Sequence, residues 1–101
     1  MRFLIDFSFP VEPFNSYVRD GSAGERLEKV LGAIKPEAVY FTENNGGRGG
    51  VMIVNMESAS EIPRVAEPLF LQYEADIRIS PCMSPEDLAT AGLDELGEQF
   101  G

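Results

Sequence analysis

Apolar and polar residues alternate at the start of the chain. Phe3, Ile5, Phe7 and Phe9 interleave with Arg2, Leu4, Asp6 and Ser8, the two-residue period of a strand with one fully apolar face. Pro10 and Pro13 end that strand, because proline donates no ladder hydrogen bond. Leu27, Val30, Leu31 and Ile34 then recur at helical spacing, a narrow apolar stripe. Two starts fit this helix. Ser22 with Glu25 has the spacing of a capping box. Tyr17, Gly24 and Leu31 are also evenly spaced, and Pro13 suits a first helical position. The favoured reading is one helix over residues 13–34, stopped by Pro36.

Residues 38–43 are β-branched and aromatic, a second strand. Residues 44–50 are rich in asparagine and glycine, with Asn45 and Gly46 the best candidates for positive φ. Residues 51–56 make a third strand and complete a hairpin. Ser58 and Glu61 repeat the capping-box spacing, and Ile62, Val65, Ala66, Leu69, Phe70 and Tyr73 follow a helical period. Pro63 belongs in the first turn, while Pro68 predicts a kink. Residues 76–80 form a fourth strand with Ile77 and Ile79 on one face. Ser84, Pro85, Glu86 and Asp87 open a short acidic C-terminal helix.

The order β-α-β-β-α-β predicts an α+β fold, a ferredoxin-like split βαβ sandwich over residues 1–101 as a single domain. Its antiparallel sheet has the order 4-1-3-2, with two helices on one face. Val51, Met52, Ile53 and Val54 are apolar on both faces of a central strand, and Leu4 adds to the face without helices. Such a strand wants cover on both sides. A second copy of the same sheet is the simplest cover, so the expected partner is the chain itself, as a homodimer.

Composition then removes chemistry. Seventeen Asp and Glu against eight Lys and Arg give a net charge of −9, which argues against nucleic acid and anionic membranes as partners. No apolar stretch approaches the ~20 residues of a membrane span. Asp6 comes too early for a signal peptide, so the expected location is cytoplasmic. There is no histidine, which removes imidazole catalysis and histidine-ligated metal or haem. Cys82 is alone, so neither an internal disulfide nor a cysteine zinc site is expected, and no local cation activates its thiol. Residues 46–50 lack the lysine and hydroxyl of a phosphate loop and read as a turn. No metal and no cofactor are expected.

Three stretches carry a family resemblance: Phe3-Leu4-Ile5-Asp6-Phe7, Gly50-Val51-Met52-Ile53-Val54, and Ser80-Pro81-Cys82-Met83-Ser84-Pro85-Glu86-Asp87-Leu88. On these the whole chain resembles the dimeric α/β-barrel superfamily, in which two ferredoxin-like protomers pack sheet against sheet. It looks most like small bacterial proteins of unknown function, related in shape to muconolactone isomerases and antibiotic-biosynthesis monooxygenases. The resemblance implies the fold and the dimer. The superfamily's haem-ligating histidine and the tryptophan of some cofactorless oxygenases are both missing here.

Asp6 and Arg78 fall on the less apolar faces of neighbouring strands. They form either a ligand grip, with Arg78 holding a carboxylate and Asp6 orienting it or taking a proton, or a structural ion pair. Tyr40 shares that class of face and completes the candidate catalytic set of Asp6, Tyr40 and Arg78; its plainer role is packing. Phe9, Phe14, Tyr17 and Asn55 are the candidate ligand-pocket residues, the aromatics as a lid over a pocket or as the edge of a small core. The functional expectation is a homodimer that binds a small apolar, aromatic or carboxylate compound, with cofactor-independent isomerase or monooxygenase-like chemistry as its catalytic form. The alternative is a non-catalytic interaction module that docks through its acidic C-terminal helix.

Overall fold

The computed structural model describes residues 1–101, and it opens with strand β1 (Arg2–Phe9), as the alternation predicts. Helix α1 (Val11–Asp20) and helix α2 (Ala23–Ile34) follow. The single helix expected over residues 13–34 is therefore two. Gly21 takes the left-handed conformation, with φ of 81°, and ends α1. The Gly21 N–H meets the Val18 carbonyl at 3.3 Å, and the Ser22 N–H meets that of Tyr17 at 2.9 Å. These two bonds are a helix-terminating cap, which glycine reaches without steric cost. Ser22 does not form the expected capping box with Glu25. Its hydroxyl instead accepts from Arg26 Nε at 2.8 Å. Glu12 is extended, so regular winding begins at Pro13.

Strand β2 (Ala38–Asn44) and strand β3 (Gly47–Asn55) come next. Asn45 and Gly46 both have positive φ and form the whole turn between them, as a two-residue hairpin of this handedness requires. The remaining glycines of the 44–50 segment, expected in a loop, are strand residues, and β3 starts four residues earlier than the predicted 51–56. A short 3-10 turn (Ala59–Glu61) leads into helix α3 (Ile62–Tyr73). The Ser58–Glu61 capping box is present. The N–H groups of Glu57 and Ser58 donate to the Glu61 carboxylate and hold its pKa below the ordinary glutamate value. Pro68 lies within α3, which continues through it to Tyr73. Val65, Ala66, Leu69 and Tyr73 are buried on both sides of that turn and pin it to the sheet. Strand β4 (Asp76–Pro81) and helix α4 (Pro85–Ala89), with its Ser84–Asp87 capping box, match their predictions within a residue or two. Helix α5 (Leu93–Phe100) adds an element that the sequence reading did not separate.

The four strands form one antiparallel sheet in the order β2-β3-β1-β4, which counted from the β4 edge reads 4-1-3-2. With helices on one face, the arrangement is compatible with a ferredoxin-like fold. That face holds the core: Ile5, Phe7 and Phe9 of β1, Met52 and Val54 of β3, Val30 and Ile34 of α2, and Val65, Leu69 and Tyr73 of α3. The opposite face carries no helix. At its centre lie Leu4, Ala38, Tyr40, Val51 and Ile53, brought side by side by the register. Tyr40 is 70% exposed there.

Neither α4 nor α5 buries a residue. The radius of gyration is 17.1 Å, against the ~13 Å of a compact chain of this length, and the longest dimension is 60 Å. The C-terminal segment is therefore an arm that leaves the body beyond β4. No helix is long and apolar enough to cross a membrane.

Candidate functional site

Register places three of the expected site residues in one row. Tyr40 lies opposite Val51, Val51 opposite Asp6, and Asp6 opposite Arg78. All four project from the face without helices, because the strand period puts them on the same side. Tyr40 and Asp6 are separated by the width of β3, two strand spacings or ~10 Å. The row is a line across an open surface. Only Asp6 and Arg78 share a concavity, a polar cleft of about 490 Å³ lined with Ser8, Asn44, Asn45 and Asp76.

Asp6 and Arg78 do not form an ion pair within the chain; the ion pairs are Arg2–Glu37, Arg19–Glu12 and Arg64–Glu61. Asn44 holds Asp6 instead, its Nδ2 donating to Oδ1 at 2.8 Å and to the Phe7 carbonyl at 3.1 Å. Of the two readings for this pair, a structural ion pair within the chain is thus absent. The amide satisfies one carboxylate oxygen and leaves the Arg78 guanidinium exposed to solvent.

Asn55 lies elsewhere. At the far end of β3 it donates to Glu37 Oε1 at 3.1 Å, and Arg2 Nε donates to the same carboxylate. The Asn55 amide, with Arg2 behind it, holds the Glu37 carboxyl below its ordinary pKa. Asn55 therefore belongs to a surface cluster and is not part of an aromatic pocket. Cys82 is half-buried at that end, in a shallow cleft with Met1, Arg2, Met83 and Asp87. No group of three or more Asp, Glu or Cys side chains is arranged to hold a metal ion.

The aromatic residues converge on the helical face. Phe9 and Phe14 stack with centroids 5.6 Å apart, and both rings stack on Tyr73. Phe9 and Phe14 wall a cleft of about 490 Å³ together with Leu27, Phe41, Thr42, Glu43 and Arg48. Tyr17 stays outside it. Its hydroxyl donates to the Gln72 carbonyl at 2.8 Å and accepts from Gln72 Nε2 at 2.9 Å, while Arg26 covers its ring. Tyr17 thus ties α1 to α3. Of the four expected pocket residues, two line the cleft and two are structural.

Phe41, Leu27 and Arg48 were missed by the sequence reading. The available signal was the turn itself. A two-residue Asn-Gly turn starts β3 at Gly47, and counting from there puts Arg48 across from Phe9 on the helical face.

Tyr73 supports the cleft from behind. It is fully buried, burial pushes its phenol pKa up, and its hydroxyl has no hydrogen-bond partner. An unsatisfied buried hydroxyl costs ~1–3 kcal/mol of desolvation. Tyr73→Phe is therefore expected to stabilise the protein by ~1 kcal/mol and to raise its melting temperature by ~4–8 °C. A lower melting temperature in a thermal denaturation scan would show that the hydroxyl is satisfied after all.

No protein-family model matches this sequence, and no curated protein matches it at a significant level. The superfamily resemblance thus rests on the three sequence stretches, with the sheet and helices compatible with it at the level of fold.

Proposed function

We propose that this chain is a homodimeric small-molecule-binding protein whose ligand, a small apolar or aromatic compound, occupies the cleft between the β2–β3 hairpin and the helices. The observation that carries this reading is the cleft: three phenylalanines and a leucine around a volume in the range of small-molecule sites. The ligand is passive in this reading. Asp6, Tyr40 and Arg78 project from the other face of the sheet, so they do not reach a molecule bound beside Phe14. Isomerase or monooxygenase-like chemistry using those three would need a substrate on the open face, under the cover of a partner sheet. Self-association is supported by the apolar centre of that face, which water would otherwise cover.

The arm favours a second reading, an interaction module. Leu93, Leu96 and Phe100 form an exposed stripe on α5, with Phe100 77% exposed, and acidic residues beside them. Titration with naphthamide, an uncharged planar probe, followed by backbone NMR tests the two readings. Saturable shift changes are expected at Phe9, Phe14, Leu27 and Phe41, with ~10-fold weaker binding for Phe14→Ala. A chain ending at Gly92 should bind the probe unchanged. Absence of saturable binding, or changes confined to residues 93–100, would leave only the interaction reading.

A further inference from the structure

Resting on the small-molecule reading above, we infer that Arg48 recognises the carboxylate of a planar aromatic monocarboxylate bound in the aromatic cleft. Arg48 is opposite Phe9 in the β1–β3 register and so stands on the helical face of the sheet. Its guanidinium carbon is 4.7 Å from the centroid of the Phe14 ring, which positions the cation at the cleft wall through the ring's quadrupole. The group is unspent. It is absent from all three ion pairs of the chain and makes no side-chain hydrogen bond; Arg2, Arg19, Arg26 and Arg64 each have a partner, and Arg78, also unpaired, lies on the opposite face of the sheet.

Glu43 is the residue that should have neutralised it. Glu43 faces Arg48 directly across the β2–β3 pair and also lines the cleft. Its Oε2 is turned back to accept the Gly46 N–H at 2.6 Å, a bond that closes the hairpin turn. The turn therefore takes the carboxylate that would have paired with Arg48. An unpaired planar fork beside stacked rings suits a carboxylate held in two parallel hydrogen bonds, with the ligand's own ring against Phe14, Phe41 and Leu27. Glu43 also limits the class. A second anionic group would meet its carboxylate within the same cleft, so one carboxylate is accepted and two are not. The chain's net charge of −9 repels anions in general, which makes recognition depend on this one cation and the apolar walls together.

The experiment compares naphthoate, naphthamide and naphthalene dicarboxylate as probes by isothermal titration. Naphthoate should bind about 10- to 100-fold more tightly than naphthamide, the range of one charged hydrogen-bond partner. Naphthalene dicarboxylate should bind more weakly than naphthoate. Arg48→Met should erase the preference for naphthoate, weakening naphthoate binding about 10- to 100-fold and naphthamide binding far less. Lys29→Met, which removes the same charge from the exposed surface of α2, should preserve the preference. Equal binding of naphthoate and naphthamide to the wild type would overturn this inference, as would equal losses in the two variants. If naphthamide binding is then still weakened by Phe14→Ala, the aromatic cleft stands without its carboxylate selectivity. If no probe binds, both fall.

Discussion

Phe7→Ala should lower stability by ~3–5 kcal/mol, the largest loss expected from one side chain here. Phe7 is 1% exposed and lies on the central strand of the sheet. Its ring meets Phe9 at 5.3 Å and Phe41 edge-on at 6.0 Å. Its cross-strand partner in β3 is Gly50, which has no side chain. A Cβ at Gly50 would meet the ring's Cζ at 2.8 Å, so Phe7 fills the space of two residues. Truncation therefore opens a cavity that residue 50 does not close. A domain of this size is stable by ~5–15 kcal/mol. Urea unfolding should show the midpoint falling by ~1 M or more, with an unchanged slope. Gly50→Ala does not refill the space in the double variant, because its Cβ would also collide with the Tyr40 carbonyl oxygen. A loss below ~1 kcal/mol for Phe7→Ala would mean that the ring is not part of the packed core.

Ile53→Lys should turn a dimer into a monomer. The wild-type chain is expected to sediment at about twice its 11.1 kDa mass at micromolar concentration, with the faces without helices apposed. Ile53 lies at the apolar centre of that face, between Leu4 and Ala38 in adjoining strands. In a two-fold assembly the substitution enters the interface twice, placing two ammonium groups near the axis. Each loses hydration without gaining a partner, at a cost of several kcal/mol. Within one protomer Ile53 is only half-buried, so the lysine head can reach water and the monomer should stay folded. Sedimentation should therefore give the single-chain mass while circular dichroism is retained. A wild-type monomer, or a variant that still dimerises, would remove the sheet face as the interface.

The polarity pattern carried most of the secondary structure. Phe3 to Phe9 alternate because one face of β1 meets the helices, and that alternation needs no knowledge of what the strand pairs with. The capping box at Ser58 and the helix start at Ser84 were legible for the same reason: each is set within four residues. The break at Gly21 was not. A glycine within a helical period can be tolerated or can cap, and the choice depends on where α2 must lie to bury Val30 and Ile34.

The site divides in the same way. Strand parity placed Asp6, Tyr40 and Arg78 on one face, and register then showed that Val51 stands between two of them. The pairing of Asp6 with Asn44, rather than with Arg78, joins residues 38 positions apart at a hairpin end. It depends on side-chain reach, which no sequence period encodes. Phe9 and Phe14 were foreseeable as neighbours across a proline turn, whereas Phe41, Leu27 and Arg48 come from three other segments. Local spacing thus determined the strands, the caps and the faces, because those follow from backbone geometry over a few residues. The split of the first helix, the partner of Asp6 and the walls of the aromatic cleft were decided by tertiary structure, because each depends on which distant segment fills the space beside it.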